Sequence, residues 1–327
     1  MIKRRDLITL LGGAAAWPLE ARAQQPTMPV IGFLHSASLE PIATRMAAFR
    51  HGLSELGFVE GQNVVIEYRW ARNDPARLPE LVADLIRRRV ALIVAPASPV
   101  AALAAKAATT TIPIVFETGA DPVQAGLVPS LSRPGGNVTG VTSMTAELSA
   151  KRFGLLHEIL PQAARFAGLV MAGYPNAEII ISDMRGAATA TGRQIEVLTA
   201  GNIQDIDRAF ATLVQKQVAA LLISPGTLFS ERRVQLVMLV THYRVPTIYY
   251  FREFVDIGGL MSYGPDVADL FRQTGIYAGR ILKGEKPADL PVLRASKFEL
   301  VINLQTARML AVEVPATLLA RADEVVE

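Results

Sequence analysis

Short apolar runs alternate with amphipathic stretches of helical spacing along most of this chain. The apolar runs have the length of β-strands and lie at residues 28–34, 64–70, 91–95, 112–116, 138–141, 165–171, 194–199, 219–224, 245–250 and 298–302. Helical spacing marks residues 42–56, 78–89, 146–160, 177–191, 205–217, 229–243 and 266–282. This alternation predicts parallel sheets, because a helical crossover returns the chain to the same end of a sheet.

Residues 90–126 contain two of these apolar runs, and each run ends in a short polar turn. After the first run, Ser98 is suited to cap a helix and Pro99 to open it. After the second run, Asp121 and Pro122 repeat the pattern and predict another helix. Both turns should lie at the carboxyl edge of a sheet, where open α/β sheets bind ligands and where helix starts attract anions. A capping role alone is the alternative for Ser98 and for Asp121.

A second series of strands and helices begins near residue 144 and predicts a second α/β domain. Its loops at residues 172–176, 225–228 and 251–255 should face the loops of the first domain across a cleft. Residues 258–265 are rich in glycine and are interpreted as a segment that crosses between the domains.

The first 23 residues have the pattern of an export signal. Lys3, Arg4 and Arg5 precede an apolar run at residues 7–17, and a small-residue cleavage site follows at residues 21–23. The paired arginines favour the twin-arginine route. The run is shorter than the roughly 20 apolar residues that span a bilayer. We therefore expect a cleaved signal and a soluble mature protein in the periplasm.

The charge balance argues against nucleic acid as a partner. The full sequence has 33 basic and 30 acidic residues, and residues 1–23 contain four of the basic and two of the acidic ones. The mature chain therefore has 29 basic and 28 acidic residues and a net charge of +1. Because the chain has no cysteine, disulfides, thiol catalysis and thiolate metal sites are excluded.

No familiar catalytic signature is present in the sequence: there is no GxSxG, no GxxxxGK[ST] and no GxGxxG after a strand. The four histidines are scattered without metal-ligand spacing. His35 follows the first strand and is a candidate ligand contact, whereas the other three are interpreted as solvated or partly buried side chains. We expect a binding protein, not an enzyme, without a metal or cofactor.

Long segments of the sequence resemble one known family, the ABC transporter substrate-binding proteins of the ABC_sub_bind type. Besides the export signal, the similar segments are VIGFLHSAS, FRHGLSELGFVEGQNVVIEYRWA, AAKAATTTIPIVFETGADPVQAGLV, SRPGGNVTGVT, YYFREFVDIGGLMSYG, GRILKGEKPADLPV and KFELVINLQTA. The resemblance covers essentially the whole chain.

The resemblance implies an α/β fold of the type I periplasmic binding protein class, with two Rossmann-like lobes whose parallel sheets are flanked by helices. A hinge of three segments would join the lobes, near residues 140–146, 260–263 and 290–297. Lobe 1 would then comprise residues 28–143 and 262–291, and lobe 2 would comprise residues 144–261 and 292–327.

The resemblance also implies the ligand site. Lobe 1 of such proteins commonly holds a carboxylate through hydroxyls and backbone N–H groups, which correspond here to Ser36, Ser98, Thr118 and Gly119. Members that bind aromatic amino acids tend to offer an acidic residue from lobe 2 to the ligand ammonium, but the loop at Ser224 has no carboxylate. An amino acid and a deaminated acid therefore both remain open. The other expected contacts are Asp121, Tyr174, Ser224, Tyr249, Tyr263 and Arg252, and Arg252 would close over an anion with two parallel hydrogen bonds.

The expected function is that of an exported solute-binding protein of an ABC importer. It would capture a small carboxylate-bearing ligand between its lobes and present it to a permease in the inner membrane, and we expect it to be a monomer. Two alternatives remain: a periplasmic enzyme on the same fold, and a ligand sensor that reports to a signalling partner.

Overall fold

Two β-sheets with helices on their faces make up the protein in a computed structural model. The structure describes residues 28–38, 43–174 and 177–327. The predicted export signal at residues 1–23 lies outside the described residues. Within the described ranges, no helix is both long and apolar enough to cross a membrane.

Thirteen strands are found in these ranges. They are β1 (Val30–His35), β2 (Val65–Trp70), β3 (Leu92–Ala95), β4 (Ile114–Thr118), β5 (Val138–Thr142), β6 (Arg165–Met171), β7 (Gln194–Ala200), β8 (Ala220–Ile223), β9 (Thr247–Tyr249), β10 (Met261–Pro265), β11 (Leu293–Arg294), β12 (Phe298–Asn303) and β13 (Glu324–Val326).

The α-helices of the described residues alternate with these strands. They are α1 (Ala43–Glu55), α2 (Leu78–Arg87), α3 (Pro99–Ala108), α4 (Ser149–Ile159), α5 (Ala177–Ala190), α6 (Ile203–Gln215), α7 (Thr227–Glu231), α8 (Arg233–His242), α9 (Val267–Leu282), α10 (Leu304–Met309) and α11 (Ala316–Leu319).

The first sheet has the strand order β11-β5-β4-β3-β1-β2, and every neighbouring pair in it is parallel. Alternate side chains of its strands enter two separate cores. Phe33 and Val94 pack with α1 and α9 on one face, whereas Leu34 and Ile93 pack with α2 and α3 on the other. This burial on both faces explains why the central strands are continuous apolar runs.

The second sheet has the strand order β13-β12-β10-β9-β8-β6-β7. All of its pairs are parallel except β10 with β12, which run antiparallel. Here too two cores cover the faces, one with α4 and α5 and the other with α6 and α8. We call the first sheet with α1, α2, α3 and α9 the first lobe, and the rest of the described chain the second lobe.

The chain passes between the sheets three times: after β5, between β10 and α9, and between β11 and β12. Residues 258–265, predicted as a crossing segment, instead contain β10 of the second sheet. Their glycines serve close packing, because a Cβ on Gly264 would lie 1.9 Å from the carbonyl oxygen of Tyr250. The second crossing therefore lies a few residues later than predicted. Because β11 belongs to the first sheet, the third crossing lies at residues 295–297, within the predicted range of 290–297. The full lobe boundaries stay a prediction.

Two predicted helices differ in the structure. Residues 122–126 form a turn that ends at Gly126, whose positive φ of 74° stops the helical path, so the helix predicted after Pro122 was wrong. The helix predicted at residues 229–243 is instead two helices, α7 and α8, which are separated at Arg232.

Helix α9 follows the second crossing and packs closely on α1, so it belongs to the first lobe. Gly52 of α1 and Gly275 of α9 lie at this contact. A Cβ on Gly52 would stand 1.9 Å from the carbonyl oxygen of Arg272, and one on Gly275 would stand 2.1 Å from that of Phe49. The absence of side chains at both glycines therefore sets the distance between the two helices.

Candidate functional site

A cavity lies where the carboxyl ends of both sheets face each other. It holds about 610 Å³ of space free of atoms, part of it open to solvent. The loops after β1, β3 and β4 contribute to it from the first lobe, and the loops after β6, β8 and β9 contribute from the second. This position agrees with the general rule for ligand sites of open α/β sheets.

Charged, polar and aromatic side chains from both lobes line this cavity. The first lobe provides His35, Arg45 and Glu117. The second lobe provides Tyr174, Thr227, Ser230 and Phe251, and Thr145 comes from the crossing after β5. The cavity therefore combines an apolar wall with a few polar groups, which is the usual composition of a small-molecule site.

Glu117 is a buried carboxyl group near the end of β4, with only 5% of its surface exposed. Its Oε2 accepts a hydrogen bond of 2.9 Å from the backbone N–H of Ala97. Ala97 has a φ of 51°, in the left-handed region that residues other than glycine seldom adopt. Burial raises the pKa of Glu117 to about 7, although the hydrogen bond from Ala97 and the charge of Arg45 oppose this shift.

His35 ends β1 with one ring nitrogen fixed and the other without a partner. Its Nδ1 accepts a hydrogen bond of 3.0 Å from the backbone N–H of Ala37, so the neutral ring carries its proton on Nε2. Burial and the nearby charge of Arg45 lower the pKa of His35 to about 3. The buried Nε2 has no hydrogen-bond partner in the described part of the chain, so its N–H is available as a donor.

Arg45 extends from α1 of the first lobe to the second lobe. Its Nε lies 2.9 Å from Oε1 of Glu253, and its guanidinium carbon lies 4.9 Å from the centre of the Phe251 ring. At the outer rim, Glu231 of α7 accepts hydrogen bonds from Ser38, at 3.1 Å, and from Asn73. The lobes are therefore in contact through two separate sets of side chains, as in a closed state.

Hydroxyl groups supply the remaining polar lining. The hydroxyl of Tyr250 donates to the carbonyl oxygen of Gly226 at 3.0 Å and lies 2.8 Å from Oγ of Ser230. Thr145 Oγ1 shares a short hydrogen bond with Ser143 Oγ. The lining atoms of Ser230 and Thr145 are thus held by neighbours that lie outside the cavity.

Two of the residues predicted from the sequence, Gly119 and Tyr174, line the cavity. A Cβ on Gly119 would lie 3.4 Å from the hydroxyl oxygen of Tyr174, so the two residues approach each other across the lobes. Burial raises the pKa of Tyr174, so its hydroxyl stays protonated and remains a hydrogen-bond donor.

Three predicted hydroxyls lie directly beside lining residues, and two of them stabilise the local backbone. Ser98 Oγ accepts from the backbone N–H of Ala101 at 3.2 Å, and Thr118 Oγ1 accepts from that of Ala120 at 3.0 Å. Oγ of Ser36 is buried and has no hydrogen-bond partner among the described residues. The capping interpretation therefore accounts for Ser98, whose hydroxyl proton is still available to donate.

Asp121 and Ser224 satisfy backbone groups of their own loops. Asp121 Oδ1 accepts from the N–H groups of Val123 and Gln124 at 2.8 and 3.3 Å, which caps the short turn. The hydroxyl of Ser224 donates to the carbonyl oxygen of Pro225 at 3.3 Å. Pro225, the neighbour of Ser224, is the residue that lines the cavity.

Tyr249 and Tyr263 pack into the second lobe instead of lining the cavity. Tyr249 is fully buried and stacks on Phe254 with ring centres 4.6 Å apart. Tyr263 packs against the core that contains α4, with the ammonium of Lys151 5.8 Å from its ring centre.

Arg252 was predicted to close over an anion, but carboxylates of its own lobe hold it. Its Nη1 lies 3.3 Å from Glu299 Oε2 and 2.9 Å from Glu324 Oε2. Its Nη2 lies 3.4 Å from Asp256 Oδ1. This ion-pair network occupies the guanidinium, so Arg252 is not available to the cavity.

The sequence interpretation missed Glu117 and Arg45. A charged residue at the end of an apolar strand was the available signal for Glu117, since buried strands seldom carry a carboxyl group without a reason. Arg45 gave no comparable signal, because its burial depends on contacts with residues of the second lobe. In the described ranges, no group of three or more acidic, histidine or cysteine residues could hold a metal ion.

A family model and a known relative both match most of this chain. Residues 29–326 match the model of the family described as ABC transporter substrate binding protein. A tyrosine-binding protein from Clostridioides difficile (strain R20291) is 26% identical over 262 residues, which are 80% of this chain and 75% of that protein.

Two solved structures share the fold over most of their length. The structure of an ABC domain from Streptococcus pneumoniae in complex with L-Trp has a TM-score of 0.82 and 25% identity, covering 91% of this chain and 99% of that one. A conserved domain protein from Vibrio cholerae has a TM-score of 0.84 and 26% identity, with the same coverage. The predicted fold, two parallel-strand sheets of the type I periplasmic binding protein class, is thereby confirmed. Together with the family match, this shows that the chain belongs to the ABC transporter substrate-binding proteins.

Proposed function

We propose that this protein is the exported receptor of an ABC importer and that it captures a small aromatic carboxylate between its lobes. The observation that carries the proposal is the cavity shared by both lobes, which cross-lobe contacts of Arg45 and Glu231 enclose. A ligand that touches both lobes would stabilise this closed state, and the permease would read the closed state.

The chemistry of the cavity supports an aromatic acid as the ligand. Arg45 and the Nε2–H of His35 provide a positive charge and a donor for a carboxylate. Phe251, Pro225 and Tyr174 provide flat or apolar surface for a ring. The relatives from Clostridioides difficile and Streptococcus pneumoniae, which carry tyrosine and L-Trp in their descriptions, support the same class.

A thermal-unfolding screen of residues 24–327 tests the proposal. The probes are L-tyrosine, L-tryptophan, 3-(4-hydroxyphenyl)propionate, benzoate, glucose, ribose and adenosine. A ligand at about 100 times its Kd adds roughly 2.7 kcal/mol to stability, which raises Tm by a few degrees. Stabilisation by aromatic acids that are recovered unchanged in mass spectrometry supports a receptor. Stabilisation by sugars or adenosine alone would refute the carboxylate site, and consumption of the probe would favour an enzyme.

Export and delivery need a separate experiment in cells. We propose that residues 1–23 direct the chain to the periplasm, where it acts as a monomer with an inner-membrane ABC permease. Replacing Arg4 and Arg5 by lysine should leave the precursor in the cytoplasm, because the twin-arginine route reads that pair. Cell fractionation that finds the mature variant in the periplasm would contradict this route.

A further inference from the structure

Glu117 is the carboxyl group that lines the cavity, and no positively charged side chain of the described residues forms an ion pair with it. Arg45 forms its ion pair with Glu253, and no ion pair among the described residues includes Glu117. Oε2 of Glu117 is bound by the Ala97 N–H, whereas Oε1 makes no hydrogen bond with any residue of the described ranges. A buried carboxyl group with one fixed and one open oxygen at a cavity wall can receive a donor from a ligand.

The groups around Glu117 restrict what that donor is. Arg45 from α1, His35 from β1 and Tyr174 from the loop after β6 share the cavity with it. Tyr174 and the ring of His35 are uncharged at neutral pH, because burial raises the pKa of Tyr174 and lowers that of His35 to about 3. Since Arg45 already faces Glu253 and the carboxylate proposed for the ligand, a cationic group of the ligand would complete the charge balance at Glu117.

We infer that Glu117 binds the ammonium group of the ligand and thereby selects aromatic amino acids over their deaminated analogues. This inference rests on the function proposed above and deepens it. It places the acidic contact in the first lobe, on β4, although the sequence resemblance implied a contact from the second lobe.

Selection by Glu117 also couples binding of the amino acid to release of a proton. Burial raises the pKa of Glu117 in the free protein to about 7, so an ammonium must displace a proton from roughly half of the molecules at neutral pH. A deaminated acid has no cation to offer and favours the protonated carboxyl group instead. Raising the pH therefore strengthens binding of the amino acid and weakens binding of the deaminated acid.

Titration calorimetry with a matched ligand pair tests the inference. L-tyrosine and 3-(4-hydroxyphenyl)propionate differ only in the ammonium group. We expect tyrosine to bind residues 24–327 at least about tenfold more tightly at pH 8, and its affinity to fall about tenfold between pH 8 and pH 6. Glu117→Gln keeps the side-chain shape and should weaken tyrosine binding at pH 8 about 30-fold or more and remove this pH dependence. Because Gln resembles the protonated carboxyl group, the variant should bind the propionate within about threefold of the natural protein at pH 6 and more tightly than the natural protein at pH 8.

Glu285→Gln provides the matched control, because Glu285 is an exposed carboxylate paired with Arg280 at the end of α9. It should leave both affinities and the pH dependence unchanged. Circular dichroism melts confirm that each variant is folded before calorimetry.

Each contrary result has a separate meaning. If Glu117→Gln binds tyrosine as the natural protein does, or if the propionate binds as tightly as tyrosine, the role of Glu117 is refuted while the proposed function stands. If neither tyrosine, tryptophan nor the propionate binds the natural protein, the proposed function fails and the inference fails with it.

Discussion

The Nε of Arg45 lies 2.9 Å from Oε1 of Glu253, and this ion pair joins helix α1 of the first lobe to the loop after β9 of the second. The Arg45 side chain is 7% exposed and that of Glu253 is 26% exposed, so solvent screens the pair less than a surface ion pair. Because its partners belong to different lobes, the contact is sensitive to the angle between them.

Glu253→Gln should shift the protein toward a more open state. The substitution leaves the mostly buried charge of Arg45 without its partner, at an expected cost of about 1–3 kcal/mol to the closed form. We expect a larger radius of gyration in small-angle X-ray scattering and weaker ligand binding. Asp256→Asn is the control, because Asp256 pairs with Arg252 inside the second lobe. An unchanged scattering curve together with unchanged affinity would show that Glu253 does not hold the lobes together.

The ionisation of Glu117 should make the stability of the ligand-free protein depend on pH. Burial raises its pKa from 4.5 to about 7, so the folded protein binds this proton more tightly than the unfolded chain does. The associated stability is fully present below about pH 4.5 and is lost as the pH rises through 7. Glu117→Gln should therefore gain stability relative to the natural protein, by up to about 3 kcal/mol between pH 4.5 and 7.5.

Urea unfolding at several pH values measures this difference. His35→Gln is an informative comparison because the pKa of His35 is lowered to about 3, so its contribution is lost as the pH falls below 6.5. The two variants should therefore differ from the natural protein with opposite dependence on pH. A constant difference for Glu117→Gln would mean that its carboxyl group titrates alike in the folded and unfolded chains.

Gly52→Ala should destabilise the contact between α1 and α9. The new Cβ would stand 1.9 Å from the carbonyl oxygen of Arg272, so the helices must move apart, which typically costs about 1–3 kcal/mol. Gly154→Ala is the matched control in α4, because nothing lies within 4 Å of its Cβ position. That change should stabilise the protein by roughly 0.5–1 kcal/mol through helix propensity. Equal unfolding midpoints for the two variants would contradict the packing argument.

Arg152→Met should weaken the region where the chain crosses between the lobes. The fully buried Arg152 donates from Nε to the carbonyl oxygen of Tyr263 at 2.7 Å and from Nη1 to that of Thr145 at 3.1 Å. Losing both donors should cost about 2 kcal/mol in unfolding free energy, because each buried acceptor loses a partner. It should also weaken ligand binding, since Thr145 lines the cavity.

Arg165→Met provides the comparison for Arg152. Arg165 is exposed at the start of β6 and donates one hydrogen bond of 3.3 Å to the carbonyl oxygen of Lys216. Its replacement should change the unfolding free energy by less than about 0.5 kcal/mol in urea titrations. If both variants unfold alike, the buried guanidinium does not contribute to stability.

The alternation of apolar runs and helical spacing predicted most strands well because strand burial depends on local composition. β6 begins and ends where its apolar run does, and the helix capped by Ser98 is present as α3. The pattern failed at residues 258–265, where glycines suggested a linker. Gly264 instead permits close approach to the backbone of Tyr250, which is a contact that no local pattern encodes.

The candidate site was less predictable because its members depend on distant partners. Sequence position placed Gly119 and Tyr174 correctly at the ends of strands, and both line the cavity. It also suggested Arg252, which is instead held by Glu299 and Glu324, 47 and 72 residues further along the chain. Arg45 went unnoticed for the same reason, since Glu253 lies 208 residues away from it.

Helix α9 and strand β11 belong to the first lobe although they are synthesised after most of the second lobe, and this order affects how the chain folds. A growing chain that has not yet passed residue 267 lacks α9, so the apolar face of α1 has no partner helix although α1 was synthesised early. Pairing elements so far apart in sequence is slow, because a long loop must close first. The first lobe therefore matures after most of the second has emerged from the ribosome. A chaperone that shields α1 during that interval would bind this protein before any ligand does.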